Sequence, residues 1–213
     1  MNDKCKAIYN FLSEKFIAPK CELEYENLFQ LLVAVILSAQ CTDKRVNGVT
    51  KELFKKFKSP NDFSLLKNEE LEKLIYSCGF YKNKAKNIIN LSKVLVNNYN
   101  SKIPNTIEEL TKLPGVGRKT ANVVLSEGFK RNALAVDTHV FRVSHRLNLS
   151  KAKTPTQTEF DLKKQFNEEI WSELHLFLVL FGRYICKSRN PICSDCKLKE
   201  YCNFYKEKKD VCW

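Results

Sequence analysis

The chain has 213 residues, and 44% of them are apolar, which is enough to build a hydrophobic core and too many for a disordered protein. Lys and Arg number 36 against 24 Asp and Glu, so the formal net charge is +12. This excess is larger than solubility requires and favours a polyanionic partner. A lysine-rich composition inherited from an AT-rich genome would give the same excess, so charge alone does not decide.

The longest apolar stretch argues against a membrane span. Residues 28–37 are interrupted by Gln30 and cover about half of the ~20 residues that a membrane-spanning helix needs, so we expect a buried helix and no membrane partner. The N-terminus shows an amphipathic pattern rather than a secretory signal, which predicts a cytoplasmic protein, associated with the nucleoid if bacterial. Nine cysteines in such a compartment favour metal ligation over disulfides.

Apolar side chains recur at helical spacing along nearly the whole chain, and no convincing strand pattern appears, so the fold is predicted to be all-α. Capping residues or prolines predict helix starts at Ser59–Pro60, Asn68, Thr106 and Thr154–Pro155. Gly79 is expected to end the helix that begins at Asn68, and residues 85–99 trace the face of the next helix. Without a Gly/Ser-rich linker, composition does not reveal a domain boundary.

Residues 113–124, LPGVGRKTANVV, follow a predicted helix at 107–113 and indicate a helix, a tight turn and a second helix. Gly115 and Gly117 let the turn backbone come close to a partner. Their N–H groups and that of Arg118 would then donate at the positive end of the second helix, a geometry that binds phosphate. A purely structural turn is the alternative, and Arg118 with Lys119 makes it less favoured.

Lys119 is a candidate nucleophile only if its amine loses its charge, because an ordinary lysine has a pKa of ~10.4. A helix N-terminus destabilises a cation by roughly 0.3–2 kcal/mol, so burial or a proton acceptor must contribute as well. Asp137, in the segment AVDTH, is the candidate acceptor, although it would also suit the N-cap of the following helix. As a catalytic group it would take a proton or stabilise positive charge, two roles that suit glycosidic bond cleavage.

Four cysteines near the C-terminus form the pattern C-x6-C-x2-C-x5-C, namely Cys186, Cys193, Cys196 and Cys202. Four thiolates bind either a [4Fe-4S] cluster or tetrahedral zinc, and spacing alone does not distinguish the two. The remaining cysteines fall outside this pattern and receive no role; they are Cys5, Cys21, Cys41, Cys78 and Cys212.

The hairpin segment, AVDTH and the four-cysteine run together resemble the endonuclease III family, which comprises helix-hairpin-helix DNA glycosylases with lyase activity. The resemblance spans nearly the whole chain and implies that Lys119 and Asp137 are catalytic. It also implies excision of oxidised pyrimidines from duplex DNA: Lys119 displaces the base, forms a Schiff base with C1′, and β-elimination nicks the strand. In this family the four cysteines hold [4Fe-4S], which would fix Lys187 and Arg189 where they can meet DNA phosphates.

Two further segments are similar to family motifs. Residues 38–43, SAQCTD, resemble the family's SAQ-x-TD segment, and residues 78–81, CGFY, resemble its IGLY turn. Enzymes of this kind flip a nucleotide out of the duplex, which leaves a gap to be filled, and Gln40 and Phe80 are the predicted wedges. The family commonly has leucine at the position of Phe80. The alternative reading is that Gln40 only ends a helix and that Phe80 only packs.

By resemblance the chain forms two domains, a helical-barrel domain at 21–131 that holds the hairpin, and a [4Fe-4S] cluster domain made of 1–20 and 132–213, with Lys119 and Asp137 facing each other across the cleft. We expect a monomer that binds double-stranded DNA with a damaged pyrimidine or an abasic site. One rival is the related adenine-mismatch glycosylase, which usually lacks the lysine and carries a glutamate in the first buried helix, here Val-Ile-Leu-Ser at 35–38. The other rival is a non-catalytic DNA-binding protein, against which Asp137 counts.

Overall fold

The computed structural model describes residues 1–209, so Cys212 lies outside the described residues. Within residues 1–209 every regular element is a helix, which confirms the all-α prediction. No helix in that range combines the length and the apolar character that a membrane crossing requires. Two compact units divide the chain: a middle unit, Cys21–Arg131, and a terminal unit that joins residues 1–20 to the residues from Asn132 onward.

The middle unit is built around one helix that is apolar on all sides. Helix α2 is buried from Phe29 to Leu37, as the sequence predicts, and it packs against α3, α6 and α8. Asn27 caps its N-terminus by accepting the Gln30 N–H. The helices of this unit are α2 Leu28–Ser38, α3 Asp43–Lys56, α4 Pro60–Ser64, α5 Asn68–Ile75, α6 Tyr81–Tyr99, α7 Ile107–Leu110 and α8 Arg118–Val123, which continues into a π-helical turn, Val124–Gly128.

The terminal unit has its own apolar core. Helix α1 packs on α11, and α11 packs on α9, around fully buried aliphatic and aromatic side chains such as Leu12 and Phe177. The elements are α1 Asp3–Lys15, α9 Thr138–Arg146, α10 Pro155–Gln165, a 3-10 turn Glu168–Ile170, α11 Trp171–Leu180 with a π-helical extension Phe181–Ile185, a 3-10 turn Lys199–Tyr201 and α12 Asn203–Lys209. The terminal unit therefore has a hydrophobic core of its own.

Three of the four predicted helix starts are confirmed by their hydrogen bonds; α5 also begins at Asn68, but its N-cap is Lys67, without a side-chain cap hydrogen bond. Ser59, Thr106 and Thr154 each accept, through the side-chain oxygen, the N–H of the residue three positions on. Pro60 and Pro155 occupy first-turn positions, where the missing N–H costs nothing.

Two local predictions are wrong. Helix α5 ends at Ile75, so Gly79 does not terminate it; the residue with left-handed backbone is Phe80, at φ 58°. Gly79 lies beside the Gln40 loop, and a Cβ there would be in ordinary contact with the Gln40 carbonyl oxygen, at 3.4 Å. The helix expected at 107–113 ends at Leu110, since the N–H groups of Lys112 and Leu113 donate to carbonyls three residues back and form turns.

Candidate functional site

The hairpin between α7 and α8 depends on one glycine conformation. Gly115 has φ +78°, and a Cβ on it would lie 2.8 Å from the Cβ of Asn87, so only glycine fits. The Val116 N–H donates to the Leu113 carbonyl over 3.1 Å and closes the turn. Gly117 has no neighbour within 4 Å of its Cβ position and lies at the exposed start of α8. The predicted turn is thus present, with different roles for its two glycines.

Lys119 lies in the first turn of α8 and is exposed, while Arg118 beside it is half-buried. Because Gly117 is the N-cap, no side-chain cap hydrogen bond neutralises this helix end. The partial positive charge of the helix start therefore lies next to Lys119. Anchoring comes from the other face of the helix, where Ala121, Asn122 and Val123 are buried.

A half-buried thiol of the middle unit, that of Cys21, interacts electrostatically with both Lys119 and the half-buried carboxyl of Glu127. Burial raises the pKa of the Cys21 thiol to about 11, and the Lys119 ammonium acts in the opposite direction. Burial also raises the pKa of the Glu127 carboxyl, partly offset by Lys130. Sequence reasoning gave no role to either Cys21 or Glu127, since each acquires its surroundings only through the fold.

Asp137 caps α9, as predicted. Its Oδ1 accepts the N–H of His139 over 2.9 Å and that of Val140 over 2.8 Å. Two such bonds hold the carboxylate in one orientation. One turn further on, Arg142 donates to the Gly182 carbonyl over 2.7 Å and to the Cys186 carbonyl over 3.1 Å. Helix α9 therefore ties the Asp137 segment to the first of the four cysteines.

The four predicted ligands lie together in the terminal unit. One cavity of about 20 Å³ is lined by all four and by apolar side chains that include Phe181; the four are Cys186, Cys193, Cys196 and Cys202. Burial raises the pKa of both the Cys196 and the Cys202 thiols, and the neighbouring thiols raise it further. Among residues 1–209, no group of three or more His, Cys, Asp or Glu side chains has the spacing needed to hold a metal ion.

Arg146 of α9, which sequence reasoning missed, holds the start of the cysteine loop, residues 186–202, by hydrogen bonds. Its Nη1 lies 3.4 Å from the Sγ of Cys186 and donates to the Lys187 carbonyl over 2.7 Å. Its Nη2 donates to the Ser188 carbonyl over 3.2 Å, and the guanidinium lies 3.9 Å from the centre of the Phe204 ring. Lys187 is exposed at the start of this loop, and Arg189 is exposed two residues later.

The predicted wedges lie on two neighbouring loops of the middle unit. Gln40 is exposed with φ 54°, and Phe80 is 69% exposed with φ 58°. The buried Lys84, also missed by sequence reasoning, donates to the Leu37 carbonyl over 2.8 Å and to the Ala39 carbonyl over 2.7 Å. These carbonyls end α2, so Lys84 fixes the loop that presents Gln40.

This geometry agrees with comparisons to known proteins. Residues 33–168 match the family described as HhH-GPD superfamily base excision DNA repair protein. The match includes the hairpin and assigns the fold to this superfamily. Endonuclease III of Rickettsia prowazekii (strain Madrid E) is 50% identical over 198 residues, 93% of each chain. Endonuclease III of Bacillus subtilis (strain 168) is 49% identical over 192 residues, 90% of this chain and 88% of the relative.

A solved structure of a trapped endonuclease III–DNA covalent intermediate superposes with a TM-score of 0.93 at 45% identity, covering 98% of this chain and 100% of the other. The chain therefore belongs to the endonuclease III family, and it is a base excision repair enzyme of the DNA glycosylase and abasic-site lyase class. The family resemblance and the enzyme class predicted from the sequence are confirmed, and the adenine-mismatch alternative is not favoured.

Proposed function

We propose that this enzyme removes oxidised pyrimidines from duplex DNA and nicks the resulting abasic site, with Lys119 as the nucleophile. The observation that carries the proposal is the exposed position of Lys119 in the first turn of α8, directly after the glycine hairpin. A relative with 45% identity forms a covalent intermediate with DNA, which agrees with a nucleophilic side chain.

In the proposed reaction the uncharged Lys119 amine attacks C1′ of the flipped nucleotide and displaces the base. The resulting Schiff base acidifies the neighbouring sugar carbon, so β-elimination can cleave the strand. Asp137 would accept a proton and stabilise the positive charge that develops on the sugar. Its two hydrogen bonds to backbone N–H groups support this role, because they keep a charged carboxylate oriented.

DNA would be held mainly through its phosphates. We propose that the N–H groups of Gly115, Gly117 and Arg118 bind phosphate, and that Lys187 and Arg189 add contacts from the exposed cysteine loop. Binding should then weaken steeply as salt rises, as expected for a net charge of +12. Gln40 and Phe80 are the proposed wedges that fill the space left by the flipped nucleotide; their exposed, adjacent loops suit that task.

We further propose that Cys186, Cys193, Cys196 and Cys202 hold a [4Fe-4S] cluster. The four thiols surround one apolar-walled cavity, and a four-iron cluster takes one thiolate per iron, so the donor set fits the group. When bound, the cluster supplies a rigid anchor for the loop that carries Lys187 and Arg189. Nothing in the proposed reaction requires electron transfer.

We propose a monomer that works in the cytoplasm, at the nucleoid if the source is bacterial. The net charge of +12 supports a monomer, because like charges oppose self-association.

Borohydride trapping tests the nucleophile. The protein is incubated with duplex DNA that contains thymine glycol or an abasic site, sodium borohydride is added, and the covalent adduct is measured on a denaturing gel. We expect an adduct with the wild-type protein and at least about a 10³-fold loss of it with Lys119→Gln. Lys112→Gln removes an equally exposed lysine of the same region and should leave the adduct intact. An undiminished adduct in Lys119→Gln would contradict the assignment.

Metal analysis tests the cofactor. We expect about four irons and as many acid-labile sulfides per chain, with broad visible absorption. Cys202→Ser should lose iron and absorption together, whereas Cys21→Ser, at a cysteine of the other unit, should retain both. One zinc per chain in place of iron would show that the site is tetrahedral zinc.

A further inference from the structure

Two cysteines without an assigned role lie next to each other on the Gln40 and Phe80 loops. Cys41 follows Gln40, and Cys78 precedes Gly79, whose Cβ position is 3.4 Å from the Gln40 carbonyl oxygen. The two thiols are close enough for a side-chain hydrogen bond between them. Neither is in a disulfide; Cys78 is fully buried and Cys41 is half-buried. Neither belongs to the four-cysteine cavity, which lies in the terminal unit.

A buried cation lies beside this thiol pair. Lys84 is 6% exposed, and its ammonium group donates to the Leu37 and Ala39 carbonyls, just before Gln40 and Cys41. Burial lowers the pKa of Lys84, and its interactions with both thiols raise it. Burial raises the pKa of Cys78 to about 11, with a further increase from Cys41 and a decrease from Lys84. Cys41 is half-buried whereas Cys78 is fully buried, so Cys41 is the thiol that an oxidant reaches first.

We propose that Cys41 and Cys78 form a redox-sensitive pair, which closes to a disulfide and thereby locks the loops that carry Gln40 and Phe80. The oxidant is a low-molecular-mass disulfide such as oxidised glutathione. The Cys41 thiolate attacks that disulfide, which forms a mixed disulfide at Cys41 and releases one thiol. Cys78 gives up its proton and attacks Cys41 Sγ, which releases the second thiol. Two protein thiols are thus oxidised to one disulfide while one glutathione disulfide is reduced to two thiols.

The disulfide changes the shape of both loops. A disulfide bond is about 2.0 Å long, shorter than any hydrogen bond between two thiols, so closing it draws the two loops together. Gln40 at φ 54° and Phe80 at φ 58° both have left-handed backbone, which a bulky residue adopts only when its surroundings enforce it. A movement of about 1 Å at such positions is enough to misplace a group that must enter the DNA stack. This consequence for DNA rests on the proposed function.

Thiol mapping tests the disulfide without any reference to DNA. The cluster-loaded protein is equilibrated in glutathione buffers from reduced to oxidised, quenched with acid, alkylated and analysed by peptide mass spectrometry. We expect a cross-linked Cys41–Cys78 peptide in oxidised buffer that disappears with dithiothreitol. Cys78→Ser should stop at the mixed disulfide with glutathione on Cys41, and Cys21→Ser should leave the cross-link unchanged. If no cross-link formed in fully oxidised buffer, the proposal that Cys41 and Cys78 form a disulfide would be wrong.

Binding measurements test the lock. Reduced and oxidised protein are titrated against duplex DNA with a stable abasic-site analogue, and we expect roughly tenfold weaker binding after oxidation. Cys41→Ser should bind equally in both buffers. A cross-linked protein that binds as tightly as the reduced one would overturn the lock. Reduced protein that binds lesion DNA no better than intact duplex would count against the proposed function. The thiol-mapping result would be unaffected, because it does not depend on DNA binding.

Discussion

Helices α8 and α9 begin with nearly the same backbone but treat their N-terminal N–H groups in opposite ways. The N-cap residues are Gly117, at φ −89° and ψ 174°, and Asp137, at φ −100° and ψ −172°. Asp137 satisfies two N–H groups of its own helix with one carboxylate oxygen, whereas Gly117 has no side chain to offer. The same local geometry therefore gives a closed helix end in one place and an end that suits an external anion in the other.

In the turn that precedes the open start of α8, Gly115 should be the more sensitive of the two glycines to an added methyl group. Gly115→Ala places a Cβ 2.8 Å from the Cβ of Asn87 on a residue with φ +78°. Left-handed backbone costs an alanine about 1–2 kcal/mol and overpacking costs about 1–3 kcal/mol, so the free energy of unfolding should fall by roughly 2–5 kcal/mol. Thermal unfolding measures the loss, and DNA affinity should fall with it because the turn is displaced.

Gly117→Ala is the matched control two residues away. Its Cβ would meet no atom within 4 Å, and its φ of −89° is open to any residue. The expected cost is no more than about 1 kcal/mol, the usual difference between good and poor N-cap residues. If the two variants were equally destabilised, the distinct roles assigned to the two glycines would be wrong.

The difference between these helix starts also separates what the sequence could predict from what it could not. Helix caps are local, because the acceptor and the N–H group lie three residues apart, so Ser59, Thr106 and Thr154 could be located from their spacing alone. Lys84 and Arg146 act on carbonyls 47 and 41 residues away, so no local pattern announces them. Each resembles an ordinary helix-face cation until the fold supplies its partners.

Gly79 shows a second limit of sequence reasoning. A glycine near the end of a helix indicates either left-handed backbone or a close approach, and the sequence does not distinguish the two. Here the left-handed residue is Phe80, and Gly79 lies against the Gln40 carbonyl. Likewise, the spacing of the four cysteines predicts a common site, but the cavity that all four line becomes visible only in the folded chain.

Substitutions of Asp137, the N-cap of α9, can separate its capping role from its catalytic role. Their expected effect on stability is smaller than that of Gly115→Ala. Asp137→Ala removes the partner of two N–H groups and should lower the free energy of unfolding by about 1 kcal/mol. Asp137→Asn keeps an oxygen in place and should cost only a few tenths of that. Because neither variant has a carboxylate, base release in single turnover should fall by roughly 10²–10⁴-fold in both.

Thr154→Ala removes a comparable cap from α10 and should reproduce the loss of stability without the loss of activity. The decisive comparison is between the two Asp137 variants. An Asp137→Asn enzyme that kept its rate while Asp137→Ala lost it would reduce Asp137 to a helix cap, since only the cap distinguishes the two side chains. Equal loss of rate with unequal stability would mean that one carboxylate both closes its own helix and acts on the substrate.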